Sequence, residues 1–152
     1  MAFRIILVLL ATLALQGPAF AASSDSSTSS TQPTSSQKYA DAEQAVKARN
    51  YALAAKLFTE FLASDSSNAN AWNYLAYSHR KLGKLQQAEE EYKKALILNP
   101  NHTGAHEYLG ELYVETGRLP LARQLLDRLK QICGTDCEEY EALEMAISNK
   151  TS

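Results

Sequence analysis

Residues 71–100, AWNYLAYSHRKLGKLQQAEEEYKKALILNP, constrain the fold more tightly than any other stretch of the chain. Apolar or ring-bearing side chains recur there at three- and four-residue spacing in two runs. The first is Trp72, Leu75, Ala76, His79 and Leu82; the second is Leu85, Ala88, Tyr92, Ala95 and Leu96. This spacing predicts two amphipathic helices, broken at Gly83-Lys84 and stopped at Asn99-Pro100. Gly83 can take the left-handed backbone that ends the first helix, and Ala88 and Ala95 are small where the two must approach closely. The stretch should be a helical hairpin.

Trp72, Leu75, Ala76 and His79, followed by Ala88, Tyr92, Ala95 and Pro100, resemble one tetratricopeptide repeat, a 34-residue unit with the pattern W-x2-L-G-x2-Y, A-x3-F and P. Ala76 stands where Gly is usual and His79 where Tyr is usual. Sliding the chain against itself by the same interval returns the pattern on both sides. Downstream it reads His106, Leu109, Gly110, Tyr113, Gly117, Leu119, Ala122 and Leu126; upstream it reads Ala42, Tyr51, Ala54, Phe58 and Phe61. Ala54, Ala88 and Ala122 fall in one column, Tyr51, Leu85 and Leu119 in a second, and Phe58, Tyr92 and Leu126 in a third. Repeats are therefore expected at 35–68, 69–102 and 103–136, within a repeat domain over 38–148.

The ends of the array are less regular. Arg49 replaces the glycine of the first hairpin's turn, and the opening helix, near Lys38 to Ala48, offers only Ala42 and Ala45 to a core. Asn68 lies among the N-cap candidates for the second repeat, and Pro120 falls in a first helical turn, where a missing N–H costs nothing. Residues 137–148 carry Tyr140, Leu143 and Ile147 at helical spacing and read as a solvating cap helix, with Asp136 and Glu139 in capping-box positions. The fold class expected is all-α, with seven helices. The resemblance implies a right-handed superhelical array of three hairpins plus this cap.

Ahead of the array, Met1 to Ala21 has the layout of a secretory signal peptide: one basic residue, an apolar run from Ile5 to Leu15, then Ala19-Phe20-Ala21. The apolar run is too short to span a bilayer, so export without a lasting membrane anchor is expected, to the periplasm if the source is bacterial. Ala22 to Gln37, rich in Ser and Thr, reads as a flexible linker. Without Arg4, fourteen basic side chains face seventeen acidic ones, a balance that provides no basic surface for nucleic acid.

Cys133 and Cys137 flank the junction between the last repeat helix and the cap. A close, even pair in an exported chain favours a disulfide, which for so short a loop would contribute roughly 2 kcal/mol. A redox pair is the alternative, since Cys137 sits at a helix start, although neighbouring carboxylates oppose a low thiol pKa. His102 and His106 lie four apart, but only these two ligands can be named, so His106 is assigned to the core and no metal or cofactor is expected. Glu89-Glu90-Glu91 is read as a solvated face. There is no phosphate loop and no nucleophile motif.

What the resemblance implies is protein binding rather than catalysis. In this family the first helices of successive repeats line a concave groove that holds a peptide or partner helix. Carried across, the groove residues are Tyr39, Glu43 and Lys47 in the first repeat, Asn73, Tyr77, Arg80 and Lys81 in the second, and Glu107, Glu111 and Glu115 in the third. Relatives that grip a chain-terminal carboxylate use basic and Asn residues, a pattern from which Glu107 and Glu111 depart. The groove is expected to take a segment of mixed charge, its basic part toward Glu107, Glu111 and Glu115 and an apolar or aromatic residue against Tyr77. A structural subunit of an envelope or secretion assembly, and a thiol-redox protein built on Cys133 and Cys137, are the other two readings.

Overall fold

A computed structural model of the chain describes residues 33–151, so the signal-peptide segment and most of the linker lie outside the described residues. Seven helices and no strand occupy the described residues: α1 (Ser35–Lys47), α2 (Tyr51–Leu62), α3 (Ala69–Lys81), α4 (Leu85–Leu98), α5 (Thr103–Glu115), α6 (Leu119–Cys133) and α7 (Glu138–Thr151). They pair as hairpins α1/α2, α3/α4 and α5/α6, with α7 packed on α5 and α6. The first helices also meet in succession, α1 on α3, α3 on α5 and α5 on α7.

Local signals set the helix ends. Asn50, Asn68 and His102 accept N-terminal backbone N–H groups through their side chains, at Leu53, Ala71 and Ala105 respectively. Gly83 and Gly117 take φ of 77° and 75°, closing the second and third hairpin turns where a side chain would be strained. Arg49 occupies the same place in the first turn at φ 57°, a conformation that costs an L-residue about 1 kcal/mol or more. Arg49→Gly should therefore raise stability, by roughly 0.5–1 kcal/mol after the glycine's greater unfolded-state freedom is allowed for. A higher urea midpoint at unchanged slope is the result that checks it.

The repeat columns are packing columns. Ala54, Ala88 and Ala122 are fully buried at the three hairpin crossings, as are Phe58 and Tyr92 one turn further on. α3 lies between two cores: Ala71 and Leu75 join the core of the first hairpin, and Ala76 joins the core built with α4 to α7. Each fully buried Phe or Leu stabilises the fold by about 1.5–3 kcal/mol. His79, in a column where the repeat usually has Tyr, brings a polar nitrogen into this core. Its Nδ1 lies 2.8 Å from Glu91 Oε2, and Gln87 donates to the other oxygen of that carboxylate.

Several boundaries and surfaces differ from expectation. Thr34 caps α1 through its hydroxyl, so Ser35, Ser36 and Gln37 belong to the helix and not to the linker. The acidic run is not uniformly solvated. Glu91 is buried against His79, and Glu89 accepts from Lys93, Arg118 and the Tyr113 hydroxyl. Asp136 does not cap α7; the N–H groups of Tyr140 and Glu141 bond the Cys137 carbonyl, and Glu139 accepts instead from the Thr103 hydroxyl at 2.7 Å. α7 also runs three residues beyond the expected 148. Leu82, despite its helical spacing, is 41% exposed.

Candidate functional site

The face formed by α1, α3, α5 and α7 does not present its predicted residues equally. Tyr39 is half-buried, edge-on to Phe58 and Phe61 at 5.6 and 5.2 Å between ring centres, and so belongs to the first core. Burial, with the Glu43 carboxylate nearby, pushes its hydroxyl up to about 12. Tyr77 is half-buried in a ring cluster with Tyr51 and Tyr108. Lys47 and Lys81 are exposed, and the Lys81 ammonium lies 5.2 Å from the centre of the Tyr77 ring.

Arg80 was expected to face a partner and does not. Its side chain is 3% exposed, with the guanidinium about 6 Å from the ring centres of both Tyr77 and Tyr108. It donates to the Tyr108 carbonyl at 3.1 Å and to Glu111, and Glu115 lies 3.7 Å from its Nε. This cation ties α3 to α5. Consequently one of the two basic side chains predicted for the groove in the second repeat is neutralised inside the protein, and two of the four predicted groove carboxylates, Glu111 and Glu115, are partly engaged.

Asn73 and Glu107 have a different setting. With Tyr74, His102, Tyr108, Glu138 and Glu139 among its walls, a cavity of about 300 Å³ opens between α3, α5 and the start of α7. Asn73 is 4% exposed, and its Oδ1 has no hydrogen-bond partner. Burial first, then the Glu111 and Glu139 charges, hold the Glu107 carboxyl at about 8, with Arg80 opposing them. A second cavity of about 450 Å³ lies alongside, walled by Glu111, Glu138, Glu141, Ala142, Met145 and Asn149. Tyr39, Glu43 and Lys47 line neither.

Glu138, Glu139, Glu141, Met145 and Asn149 were absent from the predicted groove, yet their signal was present. Moving 34 positions from Glu107, Glu111 and Glu115 lands on Glu141, Met145 and Asn149, while Leu109 and Tyr113 land on the buried Leu143 and Ile147. α7 is thus in phase with α5 and supplies a further strip of the same face. Among the described residues, neither His102 nor His106 falls in a group of three metal-capable side chains. His102 Nδ1 caps α5, and His106 Nε2 bonds the Pro100 carbonyl at 3.0 Å. Burial lowers both imidazoles. Cys133 and Cys137 have their sulfurs 2.07 Å apart, at disulfide-bonding distance.

Repeated hairpins with small residues at each crossing and first helices aligned along one face define a helical-repeat protein. Residues 39–103 and 75–136 match the tetratricopeptide repeat family, and the chain belongs to it. Its hairpins form the superhelical array characteristic of that family. Cellulose synthase 1 operon protein C of the bacterium Komagataeibacter xylinus is 30% identical over 115 residues, which is 75% of this chain. The chain spans only 9% of that relative's length. The first TPR of Spaghetti (RPAP3), bound to the HSP90 peptide SRMEEVD, superimposes with a TM-score of 0.68 at 19% identity, over 78% of this chain and 94% of that one. The Yersinia enterocolitica type III secretion chaperone SycD, in complex with a peptide of the translocator YopD, gives 0.66 at 17% identity, over 76% and 87%. No helix among the described residues is long and apolar enough to cross a membrane.

Proposed function

We propose that this chain is a protein-interaction adaptor that binds a partner polypeptide on the face of α1, α3, α5 and α7, chiefly at its α5–α7 end. The observation that carries this reading is the pair of adjoining cavities there, whose walls hold carboxylates and an amide oxygen not consumed by the fold. Two structures of similar fold carry peptides, which supports the same use of this face. The activity inferred is binding and not catalysis, in keeping with the peptide-carrying structures of similar fold. Export of the adaptor is part of the proposal and rests on the residue pattern of Met1 to Ala21.

A crosslinking pull-down from the source cell's extracytoplasmic fraction tests it, comparing the native protein with a Glu107→Lys, Glu138→Lys variant. Loss of the captured partner with the variant is the expected result. One observation favours a second surface: Ile97, 78% exposed, sits with Leu98 and Trp72 around a cavity of about 190 Å³ away from the groove. A partner kept by the groove variant and lost with Ile97→Asp would assign the interaction to that side and favour a structural-subunit role.

A further inference from the structure

We propose that the cavity between α3, α5 and α7 receives the guanidinium or ammonium group of an Arg or Lys on the bound segment, with an apolar neighbour of that residue seated against Met145. This deepens the adaptor reading and rests on it.

Three observations point to a cation of this kind. First, Asn73 Oδ1 is a buried acceptor with no partner, in the wall of a cavity that also holds Glu107, Glu138 and Glu139. A buried acceptor left unpaired costs about 1–3 kcal/mol. The Asn73 amide nitrogen lies toward Gly104 in the cavity wall, so a half-turn of the amide would present the oxygen to an entering donor and recover that cost. Second, the nearest internal cation is already committed, because Arg80 bonds the Tyr108 carbonyl and Glu111. Among the described residues no salt bridge reaches Glu107, Glu138 or Glu139, so Arg80 acts on the cavity only at a distance. Third, the cavity's carboxylates do not converge as a set of three on one point. The one group of three metal-capable side chains found within 4.8 Å of one another among the described residues is Cys133, Cys137 and Glu139, which does not include Glu107 or Glu138. Carboxylates so disposed suit a guanidinium or ammonium, which offers several N–H donors in different directions, better than a single small metal ion.

The adjoining cavity specifies what lies next to the cation. It shares Glu138 with the first, and its floor is Ala142 and Ala146 beside Met145, which is 63% exposed. A thioether adapts to varied apolar side chains. A basic residue followed closely by an aliphatic or aromatic one fits both cavities together.

Glu107 makes the interaction pH-dependent. Asn73 and Arg80 face it from α3, Glu111 from its own helix, and Glu138 and Glu139 from α7, with His102 and Tyr108 also in the cavity wall. Burial holds its carboxyl at about 8, so it is mostly protonated at neutral pH, and an entering cation favours the ionised form. Binding then releases a proton. Affinity should rise between about pH 6 and pH 8 and flatten above.

The test uses the full chain and an array of short random peptides, followed by anisotropy titration of the strongest binders. Enrichment of Arg or Lys next to an apolar residue is expected. Replacing that Arg by citrulline, its uncharged isostere, should weaken binding about tenfold or more, equivalent to about 1.4 kcal/mol or more. Glu107→Gln should do the same and abolish the pH rise. Gly104→Leu offers a variant that leaves every charge in place: a Cβ at Gly104 meets Asn73 and His102 only at 3.5 Å and beyond, so the helix accepts it while the larger side chain fills the cavity. Unchanged circular dichroism with weakened binding is expected for both variants. Peptides that bind the groove without a basic residue, or affinities untouched by citrulline and Glu107→Gln, would overturn the cation site while leaving the adaptor reading intact. No peptide binding together with partner capture lost only with Ile97→Asp would overturn both.

Discussion

Gly110→Leu is expected to release α7 from the third hairpin. A Cβ built on Gly110 lies 2.5 and 2.7 Å from the two Leu143 methyl carbons and 3.1 Å from Leu143 Cγ. Leu143 is fully buried, so it has no solvent to move into. Even Gly110→Ala should cost about 1–3 kcal/mol through overpacking, offset in part by the roughly 1 kcal/mol that alanine gains over glycine in a helix. With leucine the contact has no local solution, and loss of more than about 3 kcal/mol is expected. Hydrogen exchange should show the defect first in α7 amides. Combining Gly110→Ala with Leu143→Ala should cost less than the sum of the single changes, because the second removes the atoms that the first strikes. Strict additivity would show that α7 is not held through this contact.

The second large effect is expected at Arg80. Arg80→Ala removes a buried cation that bridges two repeats and empties the space between Tyr77 and Tyr108. Breaking a buried pair of this kind costs about 3–5 kcal/mol, and the low end applies because Glu111 keeps some access to water. Arg80→Met with Glu111→Gln retains the volume and removes both charges, so its stability should lie within about 1–2 kcal/mol of the native protein. Urea unfolding of the two variants distinguishes a structural strut from a groove cation. If Arg80→Ala left the midpoint unchanged, the strut would be refuted. A charge reversal at Arg80 is accordingly a poor probe of binding, since lost affinity would follow from lost structure.

Arg80 also shows where reading the chain from its residues reaches its limit. Repeat phase, hairpin order and several helix ends were legible because each depends on one residue type at one spacing: Gly83 and Gly117 at positive φ, Asn68 as a cap, Pro120 in a first turn, and alanine at every crossing. Spacing also fixes the direction in which a Cβ leaves a helix. It does not fix where the end of a long side chain goes. Arg80 leaves α3 at a groove position, and its guanidinium then finds a carbonyl and two carboxylates on α5. Glu89 and Glu91, drawn inward by Arg118 and His79, were misplaced for the same reason. The α5–α7 cavities are not legible in the apolar stripe of α7, which marks only its buried side; the opposite face follows from the 34-residue step that relates Glu107 and Glu111 to Glu141 and Met145.

The stack is unevenly anchored along its length. At one end, α1 commits only Ala42 and Ala45 fully to the core and turns through a residue at unfavourable φ. At the other, Leu143 locks into Gly110, Thr103 reaches Glu139, and the paired sulfurs of Cys133 and Cys137 bridge α6 to the start of α7. In an array whose repeats feel only their neighbours, disorder entering at the weak end must cross two interfaces before it reaches the far one. The proposed recognition surface thus sits on the part of the molecule least disturbed by fraying. A partner meeting it there would find the site already formed, and little of its binding energy would go into ordering the receptor.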